Sequence, residues 1–115
     1  MTTPVSFKIA KLLKEKGFDK PTIQWYHRDS KKLNTNDLMF SMNKLTDNYS
    51  APTIADVVMW LYEKQGIWIS VDPENDTDTW FHTISYNKSE TVFGDYNTPT
   101  EAYEAAIEHC LKNII

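Results

Sequence analysis

The sequence predicts an α+β fold in one domain, residues 1–115, with about three helices packed on one face of a small antiparallel sheet of three to five strands. Two observations lead to this prediction. Three segments carry apolar residues at helical spacing next to capping residues, and two further segments alternate apolar and polar residues as strands do. A length of 115 residues with 41% hydrophobic residues is enough for one core.

The first helix is predicted over residues 6–16. Its apolar positions recur at three- and four-residue steps: Val5, Ile9, Leu12 and Leu13. Gly17 is expected to end the helix in the left-handed conformation, and Phe18 can then fold back on Leu13.

Residues 22–49 are less clear. Residues 22–27 contain β-forming side chains, 29–37 read as a polar turn, and 38–40 are apolar again. A loose hairpin and a long loop whose aromatic residues fold onto the core both fit this pattern.

The second helix begins after the capping segment 50–53, and Gly66 closes it. Its inner stripe consists of Ile54, Val57, Val58 and Leu61. The other sides of its second half are also apolar, and a helix that is apolar nearly all round is usually covered on more than one face. Either the helix is central to the fold, or it forms part of a protein interface at three residues: Met59, Trp60 and Tyr62.

Two strands are predicted at 67–71 and 80–86, where residues alternate between two faces. The acidic turn between them favours antiparallel pairing, and 91–93 can add a third strand. The order of strands in the sheet cannot be read from this pattern.

The last helix starts at Thr98, with Pro99 in its first turn and Glu101 placed to complete a capping box. Its inner side is apolar, and Cys110 belongs to that side as a buried structural thiol.

The segments 50–53, 60–64 and 66–71, followed by a helix that starts with Thr98 and Pro99, resemble small uncharacterised proteins of bacterial genomes and their prophages. The likeness covers about residues 5–18 and 50–114. It implies a bacterial or phage accessory role and no known activity.

Charge is unevenly distributed along the chain. Residues 1–32 carry eight Lys/Arg against three Asp/Glu, a net charge of +5, and residues 33–115 carry four against thirteen, a net charge of −9. This asymmetry suits an anionic partner or head-to-tail attraction between copies. The lack of a signal peptide or a long apolar run, together with a single cysteine, predicts a cytoplasmic protein outside the membrane.

One local cluster interleaves aromatic and basic residues, the combination that stacks bases and holds phosphates. It predicts a nucleic-acid contact as an alternative function and comprises Trp25, Tyr26, His27, Arg28, Lys31 and Lys32. No nucleic-acid-binding motif accompanies it.

No catalytic, metal or cofactor motif is present. The three histidines lack metal-ligand spacing, and the acidic residues of 72–78 lack the glycine and glutamate of a calcium loop. A small enzyme that uses His27 or His82 with a carboxylate such as Asp29 is a further alternative. The leading hypothesis is a non-enzymatic protein that acts by protein–protein interaction or self-association, with a homo-oligomer or another protein as partner.

Overall fold

The computed structural model describes residues 2–115, and within them the chain forms two compact units, residues 2–53 and 54–115. We call them the N-terminal unit and the C-terminal unit. The described residues contain three α-helices and two three-stranded antiparallel sheets, which confirms the α+β class. The strands are thus divided between two sheets, one in each unit. That the chain behaves as one domain stays a prediction.

Helix α1, Phe7–Glu15, opens the N-terminal unit. The hydroxyl of Ser6 caps it by accepting a hydrogen bond from the Ile9 N–H at 3.4 Å. At the other end Gly17 has a φ of +87°. The Phe18 N–H donates to the Leu13 carbonyl at 3.0 Å, which is the Schellman arrangement expected from the sequence.

The N-terminal sheet contains β1 (Thr22–His27), β2 (Leu33–Phe40) and β3 (Asn48–Ser50), in the order β2-β1-β3. Of the two alternatives for residues 22–49, the hairpin is present, since β1 and β2 pair antiparallel. The pairing is interrupted by a bulge: Thr22 lies opposite Phe40, but Gln24 lies opposite Thr35. One residue of β1 therefore faces four residues of β2 in this bulge.

Polar side chains fix the remaining loops of the N-terminal unit. Asn43, in a 3₁₀ turn at Met42–Lys44, accepts a hydrogen bond from the Ser50 N–H at 2.7 Å and donates to the Phe18 carbonyl at 2.7 Å. Ser50 was expected to help cap the second helix, but it lies in β3, and its hydroxyl accepts from the Asn43 N–H. The Lys14 Nζ donates to three carbonyls of the segment 45–48, which ties α1 to β3.

The C-terminal unit begins with α2, Ile54–Gln65, which ends at Gly66 with a φ of +68°. Three strands follow in the order β4-β5-β6: Trp68–Pro73, Trp80–Tyr86 and Ser89–Tyr96. They form an antiparallel meander, in agreement with the predicted pairing and the predicted third strand. None of the helices described in residues 2–115 is long and apolar enough to cross a membrane.

Strand register separates the two faces of this sheet. Ile69 lies opposite Ile84, both are buried, and α3 (Pro99–His109) packs on this inner face. The hydroxyl of Thr98 caps α3 by accepting from the Glu101 N–H at 3.1 Å. The chain then ends in a π-helical turn, Cys110–Ile114. Trp68, paired with Ser85, belongs to the outer face.

Interaction surfaces and a buried histidine

The aromatic side chains of the basic cluster in β1 are engaged within the N-terminal unit. The Trp25 Nε1 donates to the Asn36 side chain at 3.1 Å, and the Tyr26 hydroxyl donates to the Val5 carbonyl at 2.7 Å. The Tyr26 ring also meets Phe7 edge-on, with centroids 5.6 Å apart. Both aromatic residues are half-buried, so each presents only part of its ring for stacking on a ligand.

Two of the three cations in the same cluster, Arg28 and Lys31, have protein partners of their own. Arg28 lies 3.3 Å from a carboxylate oxygen of Asp29 and 3.2 Å from one of Asp47. The hydrogen bond that Arg28 donates to the Asp29 carboxylate is the largest cause of a raised Arg28 pKa. The Lys31 Nζ sits 5.4 Å from the centre of the Phe7 ring, and Lys32 is exposed.

A hydrogen bond to the backbone of the following turn orients the His27 side chain, and within residues 2–115 no carboxylate does so. Its Nδ1 accepts from the backbone N–H of Asp29 at 3.2 Å, whereas the Asp29 carboxylate faces Arg28. A hydrogen-bonded His27–Asp29 side-chain pair, which a general base would use, is therefore not the arrangement seen.

The three interface residues predicted on α2 separate into two groups. Trp60 is buried, whereas Met59 and Tyr62 are 45% and 53% exposed. The reason is helical geometry: Trp60 follows buried Val57 by three residues and lies on the same side of the helix. Met59 and Tyr62 are three residues apart on the opposite side.

The structure adds Trp68 to this exposed pair. Its ring meets Tyr62 edge-to-face, with centroids 5.7 Å apart, and it is 44% exposed. We call Met59, Tyr62 and Trp68 the aromatic patch. The alternation of 67–71 contained the signal for Trp68, because a residue between inward-facing Ile67 and Ile69 must face outward.

A second exposed apolar surface lies in the N-terminal unit, and the sequence did not indicate it as a site. It coincides with the bulge of β2, where the side chains of Leu38 and Met39 are 79% and 62% exposed. Ile23, which faces the bulge from β1, and Phe40 at the border of the bulge are about half exposed. We call Ile23, Leu38, Met39 and Phe40 the apolar bulge.

His82 is a buried histidine in β5 of the C-terminal unit. Its Nδ1 lies 3.2 Å from the Ala102 carbonyl on α3, and because a carbonyl only accepts, Nδ1 carries the hydrogen. The ring stacks on Tyr96 at 5.3 Å and lies 5.8 Å from Phe93. Within residues 2–115 the buried Nε2 has no hydrogen-bond partner.

Burial lowers the pKa of His82, the Ala102 hydrogen bond opposes this, and His109 lowers the pKa further. His82 is consequently a neutral base in contact with aromatic rings.

Cys110, the single cysteine, is also buried, and burial raises its pKa to about 12. A thiol with this pKa holds almost no thiolate at neutral pH, so Cys110 fits the predicted structural role.

A hydrogen bond between a side chain and the backbone holds the acidic turn between β4 and β5 against β6. The Glu74 carboxylate accepts from the Asp95 N–H at 2.6 Å and lies close to Gly94. Across residues 2–115, no three His, Cys, Asp or Glu side chains come together in a way that could hold a metal ion.

Comparison of the chain with protein-family models, with curated protein sequences and with solved structures finds no match.

Proposed function

We propose that this chain acts by protein–protein contact, with self-association as its form, and that the aromatic patch is the contact surface. One observation carries the proposal: the Tyr62–Trp68 pair, whose rings touch edge-to-face while about half of each side chain is exposed. Following the bacterial and phage resemblance, the protein is proposed to be an accessory protein of the cytoplasm.

The composition of the aromatic patch is that of an interface centre. Tryptophan and tyrosine are the residues that most often dominate binding energy, and methionine adapts its shape to a partner. The mutual ring contact of Tyr62 and Trp68 also limits their side-chain motion before binding. Less conformational entropy is then lost when a partner covers them.

The test is size-exclusion chromatography with light scattering over a concentration series. The wild-type chain is expected to gain mass with concentration, and the double variant Tyr62→Gln/Trp68→Ser is expected to stay monomeric. The matched control is Leu45→Gln, because Leu45 is also 44% exposed but belongs to neither surface. The control variant should associate like the wild type.

A wild-type chain that stays monomeric at the highest concentration would contradict self-association. The nucleic-acid alternative is tested in the same run with short DNA and RNA at low salt. A mass shift that disappears in an Arg28→Gln/Lys32→Gln variant would favour that alternative over the present proposal.

A further inference from the structure

We infer that the aromatic patch of one copy binds the apolar bulge of a second copy, so that the copies associate head-to-tail. This inference rests on the proposed function and adds to it the identity of the partner surface. Both surfaces expose a methionine beside aromatic or aliphatic side chains, and they belong to different units.

The charges of the two units favour contact between a patch and a bulge over contact between two patches. Residues 2–53 carry nine Lys/Arg against five Asp/Glu, a net charge of +4, and residues 54–115 carry three against eleven, a net charge of −8. Two aromatic patches facing each other would bring together two units of charge −8. A patch facing a bulge brings together units of opposite sign, which strengthens attraction and speeds encounter.

Acidic residues on the outer face of the sheet match the net negative charge of the C-terminal unit. The residues in register with Trp68 across the sheet are Ser85 and then Glu90, and Asp72 lies further along the same face of β4. Glu90 and Asp72 thus share the outer face of the sheet with Trp68. Such charges at the rim of a contact chiefly select the partner and set the association rate.

The apolar bulge is suited to receive the patch because Ile23, Leu38 and Met39 have no cross-strand partners in the β1–β2 register. Between the pairs Thr22–Phe40 and Gln24–Thr35, the residues of β2 leave the ladder. Leu38 and Met39 are thereby directed outward on an edge strand. Large apolar side chains clustered in this way are typical of a binding surface.

A single patch-to-bulge contact uses two different surfaces of the chain, so it leaves the bulge of one copy and the patch of the other unused. Association is then expected to continue past the dimer as concentration rises, unless the rotation between copies closes a ring. It should also weaken as salt rises, since exposed charges are screened beyond about 8 Å at physiological ionic strength.

Complementation of two variants provides the experiment. The bulge variant is Leu38→Gln/Met39→Gln, and the patch variant is Tyr62→Gln/Trp68→Ser. Each alone is expected to be monomeric, with affinity reduced about tenfold or more. An equimolar mixture is expected to form a heterodimer, because the intact patch of one variant meets the intact bulge of the other. The heterodimer also shows that both variants are folded.

The outcomes separate this inference from the proposed function. If the bulge variant associates like the wild type while the patch variant does not, the contact is patch to patch, and only the head-to-tail inference is overturned. If both variants are monomeric and their mixture is too, the bulge does not bind the patch, and the inference again fails. A monomeric wild-type chain would overturn both proposals.

Discussion

At the residue scale, His82 links the protonation of one side chain to the packing of the C-terminal unit. It is 1% exposed, its ring contacts the rings of Tyr96 and Phe93, and its Nδ1 donates a hydrogen bond to the Ala102 carbonyl. A proton on Nε2 would place a charge among aromatic rings with no hydrogen-bond partner in the described residues. The folded chain therefore favours the neutral ring.

The stability of the protein should fall on acidification because of His82. Burial lowers the folded-state pKa below the ordinary value of 6.5, so the unfolded chain takes up the proton first as pH falls. The stability that neutral His82 contributes is fully present at pH values above 6.5. As the pH falls below that value, the free energy of unfolding decreases by at most about 1.4 kcal/mol per pH unit. Urea unfolding at about pH 8 and about pH 5.5 measures this loss.

The variant His82→Asn keeps a donor near the position of Nδ1 but does not titrate. It is expected to be less stable than the wild type at both pH values, yet to lose less stability between them. Leu45→Gln, which removes no titratable group, is the control and should keep the wild-type pH dependence. An unchanged pH dependence in His82→Asn would show that other groups cause the acid effect.

At the element scale, the end of α1 depends on the backbone conformation of Gly17. Its φ is +87°, and a Cβ atom built there meets nothing within 4 Å. Gly17→Ala should therefore cost about 1 kcal/mol through the left-handed backbone alone, without a steric clash. Gly17→Asn should cost clearly less, because asparagine tolerates this conformation better than alanine.

Chemical denaturation of the two variants measures these differences. The ranking Gly, then Asn, then Ala is the expected result for the free energy of unfolding. Equal losses for Asn and Ala would mean that Gly17 matters for a reason other than its φ.

Elements with a local signal were predictable from the sequence. Gly17 marks where α1 ends, and Thr98 marks where α3 begins. Their capping hydrogen bonds involve residues only three to five positions away. The bulge of β2 was not predictable, because it depends on which residues of another strand lie opposite Ile23. The same holds for Ser50, whose partner Asn43 is seven positions away in a turn.

The candidate site was predictable in part, for the same reason. Helical spacing placed Met59 and Tyr62 outside the inner stripe of α2, whereas Trp60, which was predicted to lie with them, is buried on the side of Val57. The contact of Tyr62 with Trp68 crosses from a helix to a strand, so spacing within one element could not reveal it.

At the scale of the whole molecule, size bears on how the two units unfold. The units contain 52 and 62 residues, 2–53 and 54–115. Chains of about 60 residues bury only about 60% of the surface that they expose when unfolded, so each unit by itself would be marginally stable. We therefore expect the chain to behave as one domain, as its length predicts.

Cooperative unfolding is the consequence that can be measured. Backbone amide signals followed by NMR through a urea titration should disappear with one common midpoint for residues of both units, because neither unit is expected to persist without the other. Asn43→Ala provides a further check: it removes the hydrogen bonds to the Ser50 N–H and the Phe18 carbonyl. By destabilising the N-terminal unit it should lower the midpoint of both units equally. A midpoint that falls only for residues 2–53 would show that the two units unfold independently.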